Sequence, residues 1–452
     1  MRSVYVEKVI DESKFNKTHG LVLFWCAFAI LFEGYDLVIL GSIIPTITAE
    51  LGFTSNQAGL LSSITIFGMM LGAFIFGTMS DKMGRKNIIV FCVFLFSAFS
   101  FMIGFIESFY LFAIFRFLTG IGLGGVMPNA IALMTEFSPK RFKNTMVTIM
   151  FSGYSVGGIL AAAVAIILLP ILGWESTFFI AGIPLLTIPF MYKTLPETPY
   201  ILVEKQRNNE LKQILSKVNP TFKFQENDTF KTYHSNTDEG SSVAELFKKG
   251  RALSTIMLWV AFSMCLLMIF GMNTWLPGLM NAAGYPLHSS ILFLLVLNIG
   301  AIFGAIGGGW LSDRWKPKKV LLLFFILATI SIFLLGFKTN IFLLYLLVAI
   351  AGASTVGTQI ISNAYTSQYY PSKIRSTGVG WALGIGRLGA IAGPIMGGVL
   401  LTLELPTYQN FLAFAIPAAI GALAIFFIKE KKTATEHASI HTNEYIKDLK
   451  LE

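Results

Sequence analysis

The chain has 452 residues, of which 54% are hydrophobic and 13% are charged, with a formal net charge of +9. Soluble domains carry charge on about 25% of their residues, so this chain lacks the polar residues that a soluble surface of its size needs. Its 41 phenylalanines are also more than soluble cores hide. The composition excludes a soluble globular enzyme and indicates an all-α protein that crosses a membrane many times, each crossing taking about 20 apolar residues.

Apolar runs separated by short polar stretches predict twelve membrane-spanning helices. In chain order these runs cover residues 20–46, 57–79, 87–105, 109–135, 144–170, 174–193, 253–280, 288–312, 319–337, 341–368, 375–402 and 408–428. The pattern divides the chain into a six-helix half (1–193), a polar central loop (194–252), a second six-helix half (253–430) and a polar tail (431–452).

The distribution of Lys and Arg predicts how the chain is oriented. All but three of the 34 lie in the N-terminus, alternate loops, the central loop and the tail; Arg116 and Arg387 lie within spans, and Lys338 falls on the other side. Because cytoplasmic loops collect Lys and Arg, both termini and the central loop are expected in the cytoplasm of a plasma-membrane protein. The positive charge is dispersed between apolar runs, which argues against a nucleic-acid partner.

An internal repeat relates the two halves. Gly-Thr-Met-Ser-Asp ends at Asp81 and Gly-Trp-Leu-Ser-Asp ends at Asp313, an offset of 232 residues. Gly120 and Gly352 keep the same offset, as do Pro139 and Pro371. Two pseudo-symmetric halves with a substrate site between them at mid-membrane are typical of secondary transporters.

The loop after the second span carries a family signature. Residues 77–86 read GTMSDKMGRK, which resembles the signature loop of the major facilitator superfamily, and residues 309–314 hold a partial copy. Residues 116–122 (RFLTGIG) resemble a motif of its proton-coupled members.

Within that superfamily the chain resembles the aromatic acid:proton symporters. The similarity rests on Glu33-Gly-Tyr-Asp36, on residues 116–129, on Asn273-Thr-Trp275-Leu-Pro277 and on residues 375–394. The resemblance implies a monomer that imports a benzoate- or hydroxybenzoate-class carboxylate with protons by alternating access. It implies no cofactor other than the coupling protons. Glu33 is a departure, since the family usually has Asp there.

Four charged residues lie within the predicted spans, where a charge costs about 2.5–3.5 kcal/mol and usually has a function or a partner. Asp36 and Glu33 share one helix face and are the candidate proton carriers; the alternative is a permanent ion pair with a buried arginine. Arg116 is expected to couple to the protonation of Asp36; the alternatives are that it binds the substrate itself or forms a structural pair with Asp36. Arg387 is the candidate ligand for the substrate carboxylate, or a structural partner of Glu33 or Asp36.

Polar and aromatic residues near these charges complete the predicted substrate site. Amides in spans contact either a ring hydroxyl of the substrate or a neighbouring helix. Aromatic side chains either stack on the substrate ring or pack the core and face lipid. The candidates are Asn273, Gln359 and Asn363 among the amides, and Tyr35, Trp275 and Trp381 among the aromatics.

The loops of the repeated motif are the candidate gates. Asp81 is expected to cap the start of the eleventh span near Ser376 and Thr377. Arg85 is expected to pair with Asp81 or with Glu136. The corresponding residues of the second copy are Asp313 and Arg314. The alternative is that these charges only fix the topology of the loops.

Other functions remain open at this level. A proton-antiporting exporter of the same fold is the first alternative, but the Gly-Pro motif typical of exporters in span five is matched here only by residues 389–398, in span eleven. An importer of sugars or zwitterions is the second. An enzyme or receptor is not expected, because the chain has no nucleotide loop, catalytic triad or metal-spaced histidines.

Overall fold

Sixteen α-helices and a two-stranded sheet make up the part of the chain that this computed structural model describes, residues 3–222, 224–225, 228–232, 243–248, 250–371 and 374–428. In chain order the elements are β1 (Ser3–Tyr5), α1 (Val6–Asp11), α2 (Lys17–Leu51), α3 (Ser55–Met83), α4 (Arg85–Ile103), α5 (Phe109–Phe137), α6 (Lys143–Leu172), α7 (Glu175–Ala181), α8 (Pro184–Thr194), α9 (Pro199–Glu204), α10 (Asn208–Val218), β2 (Thr229–Lys231), a 3-10 turn (Val243–Leu246), α11 (Ala252–Ala282), α12 (Leu287–Arg314), α13 (Pro317–Leu334), α14 (Ile341–Tyr369), α15 (Arg375–Thr402) and α16 (Thr407–Phe427).

Twelve of these segments, counted within the described residues, are long and apolar enough to cross a membrane, which confirms the fold class and the number of spans expected from the sequence. The sixth span consists of α7 and α8 in succession, with α8 starting at Pro184. Proline suits the first turn of a helix because its missing N–H would have no partner there. Within the described ranges, the only β structure is the parallel pairing of β1 with β2.

The two halves repeat one packing plan. In the first half α2 packs on α6, and α3 on α5; in the second half the corresponding pairs are α11 with α15 and α12 with α14. The halves meet chiefly where α3 contacts α15, where α6 contacts α12 and where α2 contacts α11. The repeated sequence motifs therefore mark two equivalent bundles packed side by side.

The two ends of the bundle differ in how the halves meet. The basic face is the end that carries residues 3–16, 195–222, 228–232 and 243–248, and the far face is the opposite end, with residues 52–54 and 403–406. Towards the far face, buried side chains of α2, α3, α5 and α6 share one apolar cluster with the second half. Towards the basic face, the first half has a separate cluster to which no described residue of α11–α16 belongs. The halves are thus packed together at the far face and apart at the basic face.

Close backbone contacts hold the halves together towards the far face. A Cβ on Gly41 of α2 would clash with the carbonyl oxygen of Asn273 in α11, and one on Gly59 of α3 would clash with that of Pro394 in α15. Ser63 Oγ donates to the carbonyl oxygen of Ile391, at 2.7 Å. Small residues at such crossings let helix backbones approach, which is how membrane helices gain packing energy.

The polar stretch 194–252 is divided between the two halves. The helices α9 and α10 and the strand β2 pack with β1 and α1 against the first half, and the Asn219 side chain donates to the Val9 carbonyl at 2.9 Å. The last part of the stretch packs on the second half, where Thr255 Oγ1 donates to the Leu246 carbonyl at 2.9 Å. The tail 431–452 lies outside the described residues.

Candidate functional site

A buried ion pair joins α2 to α5 inside the first half. Arg116 Nη1 lies 2.7 Å from Asp36 Oδ2, and each side chain is only 1% exposed. Breaking a buried pair by removing one partner leaves an uncompensated charge, which costs about 3–5 kcal/mol. The pair therefore fixes α2 against α5 in this conformation.

Hydroxyl groups from two further helices complete the bonding of this pair. Ser100 Oγ of α4 donates to Asp36 Oδ1 at 2.5 Å, and Arg116 Nε donates to Thr65 Oγ1 of α3 at 2.9 Å. Thr119 Oγ1 is 3.5 Å from Ser100 Oγ. Both oxygens of the Asp36 carboxylate thus have partners, as buried charges require.

Glu33 lies one turn before Asp36 and has a different environment. It is fully buried, and neither carboxylate oxygen has a hydrogen-bond partner among the described residues. The chain packs tightly here, because Gly34 lies against the backbone of Tyr154 in α6, and a Cβ would clash with that residue's carbonyl oxygen. An unpartnered buried carboxylate is unfavourable unless a proton or a counter-charge neutralises it.

The counter-charge comes from the other half of the protein. Arg387, half-buried near the middle of α15, interacts electrostatically with Glu33 and with Tyr154. Of the four charges expected within spans, the structure therefore groups two as a hydrogen-bonded pair within one half. The other two, Glu33 and Arg387, interact across the interface between the halves.

Three of the predicted substrate ligands already form hydrogen bonds within the protein. Tyr35 is fully buried and its hydroxyl donates to the Thr177 carbonyl at 2.8 Å. Trp275 is also fully buried, and its Nε1 donates to the Pro394 carbonyl at 2.7 Å. Asn273 donates to the Ile269 carbonyl of its own helix at 2.8 Å and accepts a bond from Asn298 at 3.3 Å. These contacts place the three residues in the packing around the interface.

The other predicted ligands keep some freedom. Trp381 is 43% exposed and stacks on Trp259 of α11, with ring centroids 5.9 Å apart. Gln359 and Asn363 of α14 are half-buried, and Asn363 Oδ1 has no hydrogen-bond partner in the described chain. An amide oxygen of this kind is available to accept a bond from a donor on a ligand.

Comparison with known proteins places this arrangement in a family. The family described as Major Facilitator Superfamily matches residues 26–317 and 295–448. The chain is 44% identical to the benzoate transport protein of Acinetobacter baylyi, over 95% of this chain and 94% of that protein. It is 32% identical to the 4-hydroxybenzoate transporter PcaK of Pseudomonas putida, over 94% of this chain and 95% of that protein.

The chain belongs to the major facilitator superfamily. Its fold agrees, since a bacterial homologue of the human lysosomal transporter Spinster, solved in an inward-facing and unoccupied conformation, matches with a TM-score of 0.72. That match covers 92% of this chain and 98% of the other at 18% identity. The resemblance to the superfamily's aromatic-acid transporters is confirmed, and the chain is a multi-pass membrane transporter, not an enzyme.

The superfamily's signature loop carries one of the predicted gate contacts. Arg85 Nη2 lies 2.8 Å from Glu136 Oε1 at the end of α5, and both side chains are about one-fifth to one-quarter exposed, at 21% and 25%. In the second copy the Arg314 guanidinium lies 4.1 Å from the Trp310 ring centroid. The side chains of Asp81, Asp313 and Ser376 lie outside the described part of the structure.

Glu197 links the signature loop to the segment after the sixth span. Its Oε1 accepts hydrogen bonds from the backbone N–H of Thr198, at 2.9 Å, and of Lys86, at 3.3 Å. Gly84, with φ of +100°, sits so close to this carboxylate that a Cβ would clash with it. Burial raises the pKa of Glu197 above its ordinary value of 4.5, while the two backbone hydrogen bonds act in the opposite direction.

Sequence reasoning missed the hydroxyl groups around the Asp36–Arg116 pair. Ser100, Thr65 and Thr119 are unremarkable in sequence, because hydroxyls in membrane helices usually bond to a carbonyl of their own helix. Thr65 does this as well, donating to the Leu61 carbonyl at 2.9 Å. The sequence offered one indication of such partners: a buried carboxylate and a buried guanidinium each need more hydrogen-bond partners than one ion pair supplies.

Proposed function

We propose that this transporter imports an aromatic carboxylate of the benzoate and hydroxybenzoate class together with protons. The names of the relatives support the substrate class, since one carries benzoate and another 4-hydroxybenzoate. The coupling is inferred from Glu33, a buried carboxylate that has no hydrogen bond to any described residue and that interacts electrostatically with Arg387 of the other half.

Charge neutralisation supplies the mechanism. A proton on Glu33 would remove its hold on Arg387, and the guanidinium would then bind the substrate carboxylate through two parallel hydrogen bonds. With both ligands present, neither buried group is left with a bare charge. The halves can then change their contacts without stranding an ion in an apolar environment.

The ring of the substrate needs a different environment from its carboxylate. Arg387 holds the carboxylate, and the unpartnered Asn363 oxygen is suited to a ring hydroxyl. Gln359 and Trp381 are proposed as further contacts, because both keep part of their side chains unburied. Tyr35, Trp275 and Asn273 are proposed to act indirectly, by shaping the wall behind this site.

Asp36 is the second candidate proton carrier. Its ion pair with Arg116 would have to open before it could take up a proton, and Ser100 and Thr65 hold both partners in place. We therefore assign the Asp36–Arg116 pair to coupling within the first half and assign proton uptake to Glu33.

The proposed direction of transport, into the cell, rests on the distribution of Lys and Arg between the two faces. Lys and Arg collect on the basic face, which is accordingly assigned to the cytoplasm of the plasma membrane, with both termini on that side. Because the halves are apart at that face, this conformation is the one that releases substrate into the cell. The transporter is proposed to work as a monomer, since each chain contains both halves of the site.

Uptake into proteoliposomes tests the proposal. Labelled benzoate and 4-hydroxybenzoate are offered with a pH gradient and a membrane voltage imposed separately, and a labelled sugar serves as the control substrate. Acid outside should drive accumulation; a voltage should add to it only if more than one proton accompanies each monoanion, at about 2.3 kcal/mol per charge per 100 mV. Uptake indifferent to the pH gradient would exclude proton symport, and acid-driven efflux would favour the exporter.

A further inference from the structure

A cleft opens on the basic face between the first half and the central stretch. It has a volume of about 270 Å³ and lies between the start of α2, the end of α8 and one side of α10. Its walls include Thr18, Lys86, Lys193, Gln213 and Lys217. The cleft is far from the Glu33–Arg387 site, because α2, α4 and α8 all begin or end at this level.

The charges in this cleft favour an anionic occupant. Two carboxylates also line it, but each has a basic partner: Glu210 pairs with Arg207 at 2.5 Å, and Glu197 interacts electrostatically with Lys86. Lys193 and Lys217 are exposed, and neither ammonium group has an ion pair with a described residue. The unneutralised charge of the cleft is therefore positive.

The position of the cleft connects it to the lipid surface. The membrane-length helices end here, with α2 beginning at Lys17 and the sixth span ending at Thr194. Lys86 Nζ lies 4.7 Å from the ring centroid of Tyr192, which is 55% exposed next to the likewise exposed Phe190. Exposed aromatic rings at the ends of spans lie at the level of the lipid headgroups.

We propose that this cleft binds the phosphate group of an anionic phospholipid, with the ammonium groups of Lys86, Lys193 and Lys217 as its donors. The acyl chains would lie along Tyr192 and Phe190, on the lipid side of the bundle. A lipid is favoured over free phosphate because the cleft opens beside these rings. An occupied cleft would fasten α10, and with it the central stretch, to α4 and α8.

Lipid retention by the purified full-length transporter tests this inference. The protein is exchanged into detergent, titrated with phosphatidylglycerol or with phosphatidylethanolamine of the same acyl chains, and analysed by native mass spectrometry and thermal melting. Phosphatidylglycerol should bind saturably at one molecule per chain and raise the melting temperature. The double substitution Lys193→Gln and Lys217→Gln should weaken that binding about tenfold or more, because each lysine near an anionic surface contributes to its attraction.

Two control variants separate a built site from general surface charge. Lys319→Gln removes an exposed lysine at the start of α13, on the same face of the other half, and should leave binding unchanged. Lys193→Arg with Lys217→Arg keeps the charge and should retain the bound lipid, which checks that loss in the Gln variant is not misfolding. Equal retention in the wild type and the Gln variant, equal loss in Lys319→Gln, or equal stabilisation by inorganic phosphate would each overturn the proposal.

Discussion

Asp36 and Arg116 form a buried ion pair with 2.7 Å between Oδ2 and Nη1, and both belong to the first half of the protein. Glu33, one turn away on the same helix, faces Arg387 of the second half and has no hydrogen bond within the described residues. Two neighbouring carboxylates thus have different environments, because Asp36 is hydrogen-bonded within the first half and Glu33 lies where the halves meet. This difference leads to separate expectations for the two residues.

Replacing Glu33 with glutamine is expected to abolish proton-driven accumulation while leaving exchange intact. Gln resembles protonated Glu, so the loaded carrier can still change conformation, but no proton is taken up or released. Uptake driven by a pH gradient should fall about tenfold or more, whereas counterflow of labelled benzoate persists. Glu33→Asp, which keeps the carboxylate, is the matched control and should stay coupled. Wild-type gradient-driven uptake in Glu33→Gln would show that the proton binds elsewhere.

Arg387 is expected to determine substrate affinity. Arg387→Lys keeps the charge but loses the planar fork, so the KM for benzoate should rise about tenfold or more, since a hydrogen bond to a charged group contributes about 1.5–3 kcal/mol. Arg387→Gln should abolish binding, as measured by scintillation proximity with labelled benzoate. Unchanged affinity in Arg387→Gln would rule out this residue as the carboxylate ligand.

The Asp36–Arg116 pair should appear first as a stability effect. Asp36→Asn and Arg116→Gln each leave one buried charge alone, so each should lower the unfolding free energy by about 3–5 kcal/mol. The double variant should be more stable than the sum of the two losses, because no lone charge remains. Ser100→Ala should cost about 1–3 kcal/mol, since it removes one partner of Asp36 Oδ1. Melting temperatures in detergent measure all four; additive losses would exclude a coupled pair.

The Arg85–Glu136 pair should affect transport rate more than stability. Both side chains are partly exposed, so the pair contributes only about 0–1 kcal/mol to folding. If it forms and breaks during the transport cycle, Glu136→Gln should change the maximal uptake rate with little change in melting temperature. The exchanged pair, Arg85→Glu with Glu136→Arg, should restore the rate in part. Wild-type rates in both single variants and in the exchange would leave the pair without a gating role.

Glu197 provides a pH-dependent stability that the substrate site does not. Its pKa is raised by burial above 4.5, so the folded state holds the proton to higher pH than the unfolded state does. The wild type should therefore lose stability relative to Glu197→Gln as the pH rises from about 4.5 through the raised pKa. Gln keeps an oxygen that can accept from both Lys86 and Thr198, so it is a matched replacement. Parallel melting curves of the two proteins from pH 4 to pH 8 would contradict this assignment.

The sequence was sufficient for the spans and for the four intramembrane charges, because hydropathy and the cost of a buried charge are local properties. It limited the arginine partners of Asp36 to Arg116 and Arg387, and in the structure Arg116 forms the pair. It did not predict the hydroxyl partners Ser100 and Thr65, since hydroxyls also bond within their own helices. Nor did it predict β1 and β2, because pairings of three residues are too short for a periodic pattern.

The pairing of β1 with β2 defines where this transporter can be cut into two co-expressed fragments. A first fragment that stopped at residue 193 would leave Val4, Val9 and Ile10 without Leu211 and Leu215, their apolar neighbours. A fragment that continues past Lys231 keeps both strands and their shared cluster intact. The second fragment would then start before Val243, because the 3-10 turn belongs with α11. Complementation between such fragments should succeed with the later cut and be weaker with the earlier one.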